Sequence, residues 1–287
     1  MTDPGRLGIW SALDGLRADE AAAFAKRVEQ LGYGALWLPE ALGRDPFAVL
    51  GHLAAHTTSI VLGTGIASIY ARNAAAMKAA ANGVGELSGN RFVLGLGVSH
   101  GPMVENVLHE KYDRPYTRMS EYLDSYGTAP YMGPAAEVPV LLAALRRRML
   151  ELSRDKADGA FPYLVPPEHI AGARQILGPG KRIVVTVPVA LTDDTAAARE
   201  TGRAYLAVYL NLPNYMNNLR ELGFGDDDRA RPGSDRLVDA VVAHGSVEAV
   251  RRRIAEYQDA GADHTCVIPL RPNGFMPQSE TVEALAP

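Results

Sequence analysis

Three short stretches hold the residues whose types could do chemistry. Glu40 follows Trp37-Leu38-Pro39, and its carboxylate could hydrogen-bond a ligand ring or cap the helix after it. Gly63-Thr64-Gly65-Ile66-Ala67 places two glycines and an alanine at the end of an apolar run. Glycine there weakens a strand and marks a bulge or a close approach. Small residues at that point clear room either for a flat ligand against the backbone or for tight packing of helix on sheet. His100 closes Gly95-Leu96-Gly97-Val98-Ser99, and an imidazole titrating near about 6.5 can give or take a proton at neutral pH.

Other patterns fail on their chemistry. The run from Gly95 to His100 lacks the third glycine of a dinucleotide fingerprint, because His100 stands there. His52 and His56 have the spacing of two zinc ligands on a helix, but Leu53 occupies the place of the glutamate, so they read as surface or packing residues. Asp226-Asp227-Asp228 lacks the remaining oxygen ligands and turn glycine of a calcium loop and reads as a solvated loop. No metal site is expected.

These stretches need a frame to position them. Continuous apolar runs recur at Arg6–Trp10, Ala35–Pro39, Ile60–Ile66, Arg91–Val98, Val138–Ala144, Gly159–Val165, Arg182–Leu191 and His264–Leu270. Each suits a strand buried on both faces. Amphipathic stretches alternate with them: one begins at Asp19-Glu20, Arg72–Leu87 ends at Gly89-Asn90, one opened by Pro166-Pro167-Glu168 runs to Leu177 and stops at Gly178-Pro179-Gly180, and a last one begins at Ser246. Eight such units predict a (β/α)8 TIM barrel in a single domain spanning 1–287. The gap between the seventh and eighth runs is too long for one helix. It predicts a helical insertion over about 193–245, with Thr195–Leu222 and Arg236–His244 as its helices and Gly225–Ser234 as a polar link. Barrel sites are built just past the carboxyl ends of the strands, which singles out Trp10, Ser11, Pro39, Glu40, Gly65–Ser68, Ser99, His100, Tyr163, Pro188 and Arg271.

Composition narrows the class of function. Of 287 residues, 47% are hydrophobic and 22% charged, which excludes wholesale disorder. The balance of 29 basic and 33 acidic residues lacks the electrostatic footprint of a nucleic-acid binder. No run is long enough to span a membrane, and the opening residues carry no export pattern. The single cysteine, Cys266, cannot form an internal disulfide, so a cytoplasmic protein is expected.

With the segments assembled, the chain resembles the bacterial luciferase-like monooxygenase superfamily, in its coenzyme F420-dependent oxidoreductase branch. The resemblance runs through Leu31–Phe47, Leu62–Asn73, Gly89–Pro102, Lys156–His169 and Asp259–Leu270. It implies a homodimeric barrel binding F420, or alternatively FMN, across the carboxyl face, and hydride transfer between the deazaflavin C5 and a small organic substrate. It also implies a cis peptide at Gly65–Ile66 within a bulge reaching Ala67, with Gly95 and Gly97 beneath the chromophore and Ser99 beside it. Backbone amides at Gly159-Ala160 would meet the cofactor phosphate, Glu40 would face the ring, His100 would handle a proton, and Trp10 and Tyr70 would wall the substrate. In the related F420-dependent sugar-phosphate dehydrogenase a histidine follows the acidic residue and a glutamate follows the fourth strand. Ala41 and His100 stand at those positions here, so that reaction is not expected. The alternatives are an FMN-dependent monooxygenase and a flavin- or ligand-binding barrel without turnover.

Overall fold

All eight apolar runs become strands of one closed parallel barrel in a computed structural model that describes residues 3–271 and 278–287. The strands are β1 (Leu7–Trp10), β2 (Ala35–Leu38), β3 (Val61–Thr64), β4 (Ala67–Ser68), β5 (Phe92–Gly97), β6 (Val140–Leu142), β7 (Gly159–Ala160), β8 (Arg182–Leu191), β9 (Ala243–Gly245) and β10 (His264–Pro269). Around the barrel the order is β10-β1-β2-β3-β5-β6-β7-β8, and β8 pairs with β10 to close it. β4 continues the path of β3 after a break and pairs with β5, while β9 extends the far end of β8.

Side chains alternate along the strands, as strand geometry requires. Ala35, Trp37, Val61, Val93, Leu141, Phe161, Val184 and Cys266 fill the barrel interior, with Trp10 and Ile66 packed on them. Ile9, Leu36, Leu62, Leu94, Leu142, Val185 and Val267 point outward into the layer shared with the helices. The helices start where side chains can cap them. Asp45, Asn73, Asp194 and Ser246 each accept a hydrogen bond from a first-turn amide.

The insertion differs in detail from its expected form. Thr195–Leu222 is two helices, Thr195–Tyr209 and Pro213–Glu221, because Pro213 has no amide to continue the first and is accommodated in the first turn of the second. The polar link contains a short exposed helix, Asp226–Arg229, with the Gly225 amide donating to Asp228. The next helix covers only Asp235–Val241, and His244 lies in β9. These helices share a second apolar core, including Tyr205, Leu206, Tyr215, Leu219, Leu237 and Val238, with Leu164, Ala190, Ile268 and Leu270 from the carboxyl side of the barrel. The insertion therefore sits on the barrel mouth.

Candidate functional site

Register defines the first feature of the mouth. Gly63 pairs with Val93, but the next pair is Ala67 with Leu96, so four steps on one strand face three on the other. The extra residue makes a bulge. The Thr64 hydroxyl repairs the interrupted ladder: it accepts from the Gly95 amide at 2.9 Å and donates to the Gly95 carbonyl at 2.8 Å. Within the bulge the Gly65–Ile66 peptide is cis. Its flanks are held from three sides. The Gly65 amide donates to Leu38 O at 2.7 Å, the Glu40 amide donates to Ile66 O at 3.1 Å, and the Trp10 indole donates to Gly65 O at 2.5 Å.

Glu40 does not cap the following helix, since Asp45 does that. Its Oε2 accepts from the Ser68 amide at 2.8 Å, and its Oε1 pairs with Arg72. Arg72 also pairs with Asp45 and lies over the Phe47 ring at 4.8 Å. The two carboxylates keep the Arg72 guanidinium above its ordinary pKa against the opposing pull of burial.

The glycines do clear room, and protein occupies part of it. A Cβ at Gly63 would lie 2.3 Å from the Trp37 ring, and one at Gly65 would lie 2.8 Å from the Trp10 indole. At Gly95 it would meet Thr64 O at 2.1 Å, and at Gly97 the Ile66 side chain at 2.5 Å. Gly95 and Gly97 thus sit beneath the bulge itself, and any flat ligand has to lie above Ile66, toward the mouth.

His100 borders the same mouth. Ser99 adopts a left-handed φ of 54°, and His100 is extended ahead of the helix Gly101–Asn106. Asn214, in the first turn of Pro213–Glu221, places its Oδ1 3.2 Å from His100 Nδ1, and the Tyr215 ring lies 5.4 Å from the imidazole. Burial holds His100 below its ordinary pKa, with Asn214 opposing the shift. Deeper in, the Tyr163 hydroxyl bonds to those of Tyr205 and Tyr209, the latter at 2.7 Å, and Trp10 lies 6.0 Å from Tyr163. Tyr70 stacks obliquely on Tyr112 at 5.8 Å, and its buried hydroxyl has no hydrogen-bond partner among the described residues.

A cleft of about 580 Å³ opens beside these groups, from Val98 and Ala143 to Tyr112, Tyr116 and Asn214. Its lining carries Arg114, Arg146, Arg147 and Arg148 against one carboxylate, Glu221. Arg146 lies 3.5 Å from Glu221, Arg147 pairs with Glu151 at 2.9 Å, and Arg148 covers the Tyr116 ring at 4.3 Å. The helix Arg147–Lys156 starts here without a side-chain cap. The positive end of a helix dipole and surplus guanidinium groups together suit an anion.

The structure thus brings together Trp10, Glu40, Gly65, Ile66, Ala67, Tyr70, Gly95, Gly97, Ser99 and His100. It does not bring Gly159 and Ala160 to them. Those two are buried in β7, paired with Leu141 and Leu142 on one side and with Arg182 and Ile183 on the other. Arg182 begins β8, and Asp158 groups with Gly5, Arg6, Lys181 and Asp263 at the amino end of the barrel. Both residues are thus taken up in the barrel ladder. The guanidinium groups lining the cleft are those of Arg114, Arg146, Arg147 and Arg148, which the positions singled out by sequence do not include. Their legible signal was three consecutive arginines directly past the fifth apolar run, a strand end absent from the positions singled out above. Asn214 had no such signal, since only folding carries the insertion over the mouth. Among the described residues no group of three or more His, Cys, Asp or Glu side chains could hold a metal, and no helix is long and apolar enough to cross a membrane.

Comparison with known proteins supports the family and the fold. Residues 1–264 match the family model described as luciferase-like monooxygenase. A Mycobacterium tuberculosis protein described as a coenzyme F420-dependent oxidoreductase is 27% identical over 89% of this chain and 91% of its own length. The coenzyme F420-dependent tetrahydromethanopterin reductase of Methanopyrus kandleri superposes with a TM-score of 0.73 at 17% identity, covering 98% of this chain and 97% of that one. The oxygenating constituent of 3,6-diketocamphane monooxygenase from Pseudomonas putida, solved with FMN, gives 0.72 at 13% identity, covering 98% and 96%.

Proposed function

The chain belongs to the luciferase-like monooxygenase family, and from that premise we propose that it is an F420-dependent oxidoreductase acting on a small organic substrate. The cofactor supplies hydride transfer at its deazaflavin C5. The protein supplies orientation, a partly dry pocket and one proton-handling residue.

The observation that carries the reading is the arginine-lined cleft that opens beside Val98, Ala143 and Asn214. F420 is a flat ring system joined to a phosphate and a carboxylate-bearing tail. Its charges fit Arg114, Arg146 and Arg148 and the uncapped helix start beside them. The ring would be held at the bulge, where Ile66 presents an apolar surface and Ser68, Glu40 and Trp10 fix the backbone. His100, near Tyr215 and Asn214, is the group placed to exchange a proton, and Trp10 and Tyr70 bound the space left for substrate.

Parallel titration of the purified protein with F420 and with FMN tests this. Tighter binding of F420, weakened by added salt, is the expected result. Saturable binding of FMN alone would replace the reading with that of an FMN-dependent monooxygenase, as in the neighbour solved with FMN. Binding without turnover of any substrate would leave a ligand-binding barrel. The proposal takes 1–287 as one unit and the protein as a cytoplasmic homodimer, which light scattering and fractionation check.

A further inference from the structure

We infer that Asn214, contributed by the insertion, is a positioning residue for His100: its side-chain carbonyl fixes the ring as the Nδ1–H tautomer and leaves Nε2 as the proton acceptor. The inference rests on reading His100 as the proton-handling group of the site.

The ring is held on its edge and near its face by two consecutive residues. Asn214 Oδ1 meets Nδ1 at 3.2 Å, while the Tyr215 ring lies 5.4 Å away at 46°. Both belong to the first turn of Pro213–Glu221, whose start is set by the proline. Tyr215 is buried in the insertion core, which anchors that turn against the barrel. On the other side the His100 carbonyl accepts from the Val104 amide at 3.0 Å, so the backbone that carries the imidazole is pinned as well.

The charge state follows from what surrounds the ring. The groups that face it from the insertion are an amide and a phenol, and Tyr112 lies against the next residue, Gly101. None of these supplies a negative counter-charge to a half-buried imidazolium, so the neutral ring is favoured. A neutral imidazole carries one hydrogen, and the carbonyl facing Nδ1 accepts it there. The tautomer is set by the partner of the other nitrogen, as is general for histidine. Free imidazole side chains favour the opposite tautomer, so the arrangement has a signature of its own.

Long-range ¹H–¹⁵N spectra of labelled apoprotein at pH 7 read this directly, with His100 assigned by its loss in His100→Gln. The expected wild-type pattern is a pyrrole-like Nδ1 and a pyridine-like Nε2. Asn214→Leu should move the ring toward the Nε2–H form. Asn214→Asp, which keeps the shape of the side chain, should retain Nδ1–H and raise the titration midpoint by about one pH unit. An Nε2–H ring in the wild type, or unchanged tautomer and midpoint in both variants, overturns the inference. The spectra need no cofactor. Full F420-dependent turnover by His100→Gln would therefore overturn the functional reading of His100 while leaving the tautomer result to stand or fall alone.

Discussion

Glu40 grips the bulge twice, through its own amide to Ile66 O at 3.1 Å and through its carboxylate to the Ser68 amide at 2.8 Å. Those two contacts hold the chain where it leaves the bulge at Ile66 and rejoins the ladder in β4. A carboxylate accepting from a backbone amide in a partly buried place is strongly bonded, and the ion pair with Arg72 holds it in position. The acidic residue after Trp37-Leu38-Pro39 therefore shapes the surface offered to a ligand, whatever else it touches.

Removing that carboxylate strands the Ser68 amide. Glu40→Ala should cost about 1–3 kcal/mol in urea denaturation and weaken cofactor binding at least about ten-fold. Glu40→Gln keeps an acceptor for Ser68 but loses the ion pair, so it should lie between wild type and Ala in both measurements. Equal stability of all three would show that the clamp does not hold the bulge.

Two glycines should respond to alanine with opposite signs. Gly63→Ala drives a methyl to 2.3 Å from the fully buried Trp37 ring, an overpacking that costs about 1–3 kcal/mol. Gly83 lies inside the helix Ala74–Leu87 with nothing within 4 Å of its Cβ position. Gly83→Ala should stabilise by about 0.5–1 kcal/mol, chiefly by restricting the unfolded chain. Thermal and urea unfolding of the pair check both.

The arginines of the cleft should act on affinity rather than on folding. Arg146→Ala and Arg148→Ala remove exposed side chains, so stability should change little. Each should weaken F420 binding about ten-fold, the scale of one charge-assisted contact. The remaining affinity should fall less steeply with salt than that of the wild type. Unchanged titration curves would place the anionic end of the cofactor elsewhere.

The fold was legible because burial on both faces leaves its mark on every strand. The eight apolar runs show it, and Gly63 to Ala67 show where one strand is interrupted. What fills a gap is a radial property, and sequence order holds no record of it. The Trp37 and Trp10 rings reach the positions cleared by Gly63 and Gly65 from other strands. Asn214 reaches His100 across 114 residues of chain. The ladder pairing of Gly159 and Ala160 was hidden for a related reason: a strand of two residues gives no clue to which end of the barrel it reaches. The arginine triplet at 146–148 was readable, and only its radial position makes it a cleft.

Acid should destabilise this protein partly through one histidine far from the mouth. His264 is fully buried; its Nε2 accepts from the Trp37 indole at 3.1 Å and its Nδ1 donates to Gly5 O at 2.8 Å. A second proton would set two donors against each other at Nε2, and burial pushes the pKa down to about 4. An unfolded histidine takes its proton near about 6.5. The contribution to stability is therefore complete above that pH and is lost as pH falls from about 6.5 toward about 4, because the unfolded chain binds a proton that the native state refuses. The loss amounts to roughly 3 kcal/mol. Burial shifts His100 and His169 the same way, and the carboxylates held below their ordinary pKa lose stability in acid too, so the total slope cannot identify one residue. His264→Gln can, since its amide oxygen still accepts from Trp37 and takes up no proton. Urea midpoints at several pH values between about 7 and 4.5 should converge for variant and wild type as the pH drops. Parallel curves would mean that His264 takes up its proton at the same pH in the native and the unfolded chain.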